Sequence, residues 1–128
     1  MTALEVVRAH YAASDRGDLD GMLAPLAPDA SWTEAAGSTY AGTYVGREAI
    51  VANVFQRIGA EWASFEASVA ELFEAGDTVI ALGAYTGVHR ATGKSMTARF
   101  THIWRVADGH VTSFEQVADT ALIRGAES

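Results

Sequence analysis

The sequence predicts an α+β fold, with helices gathered in its first half and an antiparallel sheet in its second. Three observations carry this. Leu4, Val7 and Tyr11 recur at i, i+3, i+7, with Val6, His10 and Ala13 on the neighbouring stripe, which is the helical period. Ile50, Val51, Val54, Phe55 and Ile58 repeat the pattern after Gly46, with Glu48, Asn53, Gln56 and Arg57 on the opposite side. From Phe65 onward the pattern switches to period two, and runs rich in Val, Thr, Ile, Phe and Trp are separated by Ala75-Gly76-Asp77, Thr92-Gly93-Lys94 and Asp108-Gly109. Strands separated only by such short turns pair antiparallel, because a parallel return needs a crossover of about a dozen residues or more.

In chain order, the first helix is expected from about Ala3 to Arg16, where Asp15, Gly17 and Asp18 break the period. Asp18 is placed to cap a second helix from Leu19 to about Leu26, ended by the stretch containing Pro25 and Pro28. Ala30 to Glu34 reads as a short strand, followed by a loop rich in Gly, Ser, Thr and Tyr and then by the third helix. A four-strand meander completes the layout α-α-β-α-β-β-β-β. Helices at one end and an antiparallel sheet at the other imply helices covering one face of a curved sheet.

Length and charge narrow the function. A chain of 128 residues fits one domain, 1–128, with one core and at most one deep pocket. Nine Lys and Arg against sixteen Asp and Glu give a net charge of −7 and a pI near 4.9. That is the wrong sign for neutralising phosphates or resting on anionic lipid, so no nucleic acid and no membrane is expected as a partner. Without cysteine the chain has no disulfides, thiolate metal sites or cysteine nucleophile. Glu5, Arg8, His10 and Asp15 interrupt the apolar residues of the start, so a cytoplasmic protein is expected.

The stretch from Met96 to Val106 points to a pocket. Its even positions are Met96, Ala98, Phe100, His102, Trp104 and Val106; its odd positions are Thr97, Arg99, Thr101, Ile103 and Arg105. One face is therefore apolar except for His102. A ring nitrogen on that face needs a partner, since an unpaired buried polar group costs about 1–3 kcal/mol. Glu34, Asp119, His10 and the hydroxyls of Tyr11, Tyr40, Tyr44 and Tyr85 are the candidates, and a backbone carbonyl is the structural alternative. Glu34 ends a strand before a Gly-rich loop, where side chains often enter a cavity. His10 lies on the inner stripe of the first helix, and Asp119 near the end of the last strand. His89 and His110 sit beside turns and are expected in solvent, while Arg99 falls on the outer face. The histidines show no HxxxH or HxxE spacing, so no metal site is expected. Phe55, Phe100, Trp104 and Phe114 are candidate pocket walls.

Several segments together resemble the NTF2-like superfamily, in its SnoaL-like and ketosteroid-isomerase-like branch. They are Gly17-Asp18-Leu19-Asp20, Pro28-Asp29-Ala30-Ser31-Trp32-Thr33-Glu34, Gly46-Arg47-Glu48-Ala49-Ile50, Thr92-Gly93-Lys94, His102-Ile103-Trp104-Arg105-Val106 with Asp108-Gly109, and Phe114-Glu115-Gln116-Val117-Ala118-Asp119-Thr120. The resemblance implies a conical barrel of three N-terminal helices packed on a strongly curved, mostly antiparallel sheet over an apolar pocket, commonly paired as a homodimer. It places Glu34 where ketosteroid isomerases hold the proton-shuttling carboxylate, and His102 and His10 where they hold the two donors to the enolate oxygen. In the SnoaL-like cyclases a late-strand histidine and aspartate do acid–base work, and His102 with Asp119 is similar to that pair. The Asp-Arg-Asp set of limonene-epoxide hydrolases has no clear counterpart, with Arg99 on the other face. The expected function is cofactor-free proton transfer next to the carbonyl of a small apolar or aromatic molecule, by an isomerase or cyclase. The alternative is a non-catalytic binding or dimerisation module, since fold alone does not fix function.

Overall fold

The first helix begins where the sequence offers a cap. In a computed structural model describing residues 1–128, the Thr2 side chain accepts from the Glu5 amide and Glu5 accepts from the Thr2 amide, starting α1 (Ala3–Asp15). Val6, Val7, His10, Tyr11 and Ala13 turn inward from α1. Gly17, at φ 67°, reverses the chain, and Asp18 caps α2 (Leu19–Leu23) by accepting from the Gly21 amide. This helix stops short of the expected Leu26, because Pro25 has no amide hydrogen to continue it. The first strand, β1 (Leu26–Glu34), accordingly starts earlier than the sequence indicated. It accommodates Pro28 at a register shift between Leu26 and Ser31, where the missing ladder donor costs least.

The loop after β1 contains a short strand, β2 (Gly42–Val45), paired antiparallel with β1 from Ser31↔Val45 to Glu34↔Gly42. The third amphipathic stretch is helical throughout, as α3 (Arg47–Ile50), a π-helical segment (Val51–Phe55) and α4 (Gln56–Glu61). The meander follows as β3 (Trp62–Ala75), β4 (Thr78–His89), β5 (Ser95–Ala107) and β6 (His110–Ala118), each pair antiparallel. A further helix, α5 (Thr120–Ala126), ends the chain.

The sheet order is β2-β1-β6-β5-β4-β3, with β1 parallel to β6. The sheet is curved but open: β2 and β3 are its two edges and do not pair, so the expected barrel does not close. On β5 the even residues Met96 to Val106 are all buried and the odd ones exposed or half-buried, as the alternation predicted. A Cβ at Gly83 on β4 would lie 2.2 Å from the Ser68 carbonyl oxygen and 2.6 Å from Phe100, so glycine allows the close approach of β3 and β5 there.

Two apolar clusters result. The larger packs α1 against the sheet around Val6, Val7, Leu26, Ile50 and Trp104, and full burial of each aliphatic side chain stabilises the fold by roughly 1.5–3 kcal/mol. The smaller gathers Trp62, Tyr85, Met96, Ala98 and Phe100 with Ile123 and Ala126 of α5.

Candidate active site

Members of both clusters line a cavity of about 500 Å³. Trp32, Phe55, Phe65 and Phe114 form apolar walls, and Glu34, His10, Tyr11, Tyr85, His102 and Gln116 supply its polar groups.

Glu34 reaches this space through strand alternation: Ala30, Trp32 and Glu34 face inward in turn along β1. The carboxyl side chain is 5% exposed and has one protein hydrogen bond, from Trp32 Nε1 to Oε2 at 3.3 Å. Burial disfavours its charged form and pushes its pKa up to about 7, opposed in part by the indole donor. Near neutral pH it is thus divided between acid and base forms.

His102 stands between two tyrosines. Its Nδ1 lies 2.6 Å from the Tyr11 hydroxyl and its Nε2 2.5 Å from the Tyr85 hydroxyl. Trp104 Nε1 donates to the Tyr11 oxygen at 2.8 Å, and Gln116 Nε2 donates to the Tyr85 oxygen at 2.8 Å. The Ala35 amide donates to Gln116 Oε1, which orients that side-chain amide. Phe100 stacks on the imidazole with centroids 3.9 Å apart, and burial holds the His102 pKa well below the ordinary histidine range. Burial likewise raises both tyrosines, with Glu34 adding to the effect at Tyr85 through charge repulsion. All of these groups are therefore neutral around pH 7 except Glu34.

His10 is tied differently. Its Nδ1 lies 2.9 Å from the Met22 carbonyl oxygen, which only accepts, so Nδ1 carries the hydrogen and Nε2 is left with a lone pair. Burial brings the His10 pKa down to about 4.

The structure thus brings Glu34, His10 and His102 to one cavity without a direct hydrogen bond among them. Phe55 and Phe114 also line it. Asp119 does not: it is exposed and caps α5, accepting from the Leu122 amide at 3.3 Å. Phe100 and Trp104 are buried in the core, beneath His102 and behind Tyr11, and are not cavity walls. His89 departs from its expected solvent position, half-buried edge-on to Trp62 with an unpartnered Nδ1, whereas His110 and Arg99 are exposed. Trp32, Phe65 and Gln116 were not anticipated. For two of these the signal was present, since Trp32 shares the inward alternation of Glu34, and Gln116 that of Phe114 on β6.

Fold and site together define a small α+β domain with a mostly apolar cavity under a curved sheet. A SnoaL-like domain model matches residues 7–114, and the chain belongs to this family of the NTF2-like superfamily. An NTF2-like protein from Burkholderia thailandensis is 47% identical, with a TM-score of 0.97 over 100% of this chain and 98% of that one. Another, from Burkholderia pseudomallei, is 31% identical, with a TM-score of 0.89 over 97% and 95% of the two chains. TerC, co-crystallised with polyporic acid, is 27% identical, with a TM-score of 0.87 over 98% of each. Among curated proteins no match is found.

Proposed function

We propose that the protein catalyses proton transfer next to the carbonyl of a small apolar or aromatic compound, without a cofactor, as an isomerase or a polyketide-cyclase-like enzyme. The observation that carries this is Glu34: a carboxyl group held near pKa 7, facing a mostly apolar cavity that two hydrogen-bonded tyrosines also line. In its ionised form Glu34 takes the carbon-bound proton. The C–H electron pair becomes the enolate C=C bond, and the negative charge that builds on oxygen is met by a tyrosine hydroxyl. Return of the proton to another carbon gives isomerisation, and attack of the enolate carbon on a second carbonyl gives ring closure. The similarity to TerC, crystallised with polyporic acid, supports a small-molecule occupant.

A binding module without chemistry is the competing reading, favoured by the attachment of His10 to a backbone carbonyl. Deuterium uptake at the activated carbon of 2-tetralone, a bicyclic ketone, separates the two. The wild type is expected to accelerate uptake over buffer, and Glu34→Gln to lose at least about 10²-fold of that acceleration. Binding of the ketone with no acceleration would establish the module instead.

A further inference from the structure

The Tyr11–His102–Tyr85 chain has one more hydrogen than it can use internally. Trp104 Nε1 is a donor only, and the Gln116 amide is oriented by Ala35, so each tyrosine oxygen already accepts one hydrogen from a committed partner. His102 is surrounded by tyrosine hydroxyls and aromatic rings, with no carboxylate in its hydrogen-bond shell. A neutral imidazole there offers one N–H and one lone pair. If Nδ1 carries the hydrogen, it donates to Tyr11, Tyr85 donates to Nε2, and the Tyr11 hydroxyl hydrogen is left over. If Nε2 carries it, the roles exchange and the Tyr85 hydrogen is free. Either tautomer leaves one hydroxyl hydrogen for an acceptor outside the chain, and both tyrosines line the cavity.

We propose that His102 is a positioning residue whose ring tautomer hands a single hydroxyl hydrogen to the ligand's oxygen, from Tyr85, the tyrosine that Gln116 ties to Ala35, the residue next to Glu34. This rests on reading the cavity as a carbonyl site. It changes the part given to His102: the ring neither donates to the substrate nor removes a proton from it. A ligand oxygen beside Glu34 draws the Tyr85 hydrogen outward, the ring moves to the Nε2–H form, and Tyr11 turns its own hydrogen onto Nδ1. Excess hydroxyl hydrogen thus matches one ligand acceptor, which selects for a ketone or enolate oxygen over a group bringing only donors.

Ring ¹⁵N spectra of the full-length protein test this. Without ligand, Tyr11→Phe is expected to hold His102 as Nε2–H and Tyr85→Phe as Nδ1–H, since in each variant the ring hydrogen goes to the remaining hydroxyl. The pyrrole-type and pyridine-type signals should therefore exchange between the two variants. The same tautomer in both, or a doubly protonated ring at neutral pH in either variant or the wild type, overturns the proposal. In the wild type, saturating 2-tetralone is expected to drive the ring to Nε2–H. A ring found as Nδ1–H at saturation overturns the assignment to Tyr85. These readouts do not depend on turnover: a tautomer shift without deuterium uptake would defeat the proposed function and leave the role of His102 standing.

Discussion

Glu34 and Asp119 are both carboxylates near strand ends, and their surroundings give them opposite parts. Glu34 follows the inward alternation of β1 into an apolar cavity, whereas Asp119 sits one residue past β6 and its oxygen satisfies a helix amide. The sequence marks both as acidic residues near loops; only the start of α5 at Thr120 turns Asp119 away from the pocket. Asp119→Asn keeps a capping oxygen and is expected to leave ketone deuterium exchange unchanged, while Asp119→Ala costs about 1 kcal/mol of stability by loss of the cap. Exchange assays and urea denaturation check both; strong loss of exchange in Asp119→Asn would return the residue to the chemistry. His102 was legible as the one polar residue on an apolar strand face. Its partners were not, because seven side chains could have met it, and only the packing of α1 on the sheet and the pairing of β4 with β5 decide that Tyr11 and Tyr85 do.

At the scale of elements, the long strands and the two amphipathic helices declared themselves because each buries one face and so carries a period. The elements that escaped notice bury little: β2 has no fully buried residue, and α5 buries only Ile123 and Ala126. Ile123 of α5 lines the cavity and β2 covers the free edge of β1, yet neither element leaves a strong pattern. The parallel contact of β1 with β6 was equally hidden, as it joins strands far apart in sequence. Gly83 shows what the pattern omits. Its neighbours leave no room for a methyl group, so Gly83→Ala is expected to destabilise the protein by about 1–3 kcal/mol through displacement of β3 and Phe100. Urea denaturation measures this, and an unchanged midpoint would mean that the sheet yields at no cost.

For the whole molecule, the cavity between two apolar clusters makes burial the dominant force on Glu34, His10, His102, Tyr11 and Tyr85. The consequence for stability has a definite sign. Glu34 favours the fold while neutral, a contribution of roughly 3 kcal/mol that is fully present below pH 4.5 and lost as pH rises through about 7. His10 works in the other direction: its contribution is present above pH 6.5 and lost as pH falls through about 4. The same burial that costs stability at neutral pH gives Glu34 the affinity for protons that a base needs there. The most direct test is a ¹³C titration of the Glu34 carboxyl carbon in the full-length wild type. A midpoint near pH 7 is predicted; a midpoint near the ordinary 4.5 would contradict the account, because the cavity would then not disfavour the charged carboxylate as the burial of Glu34 requires.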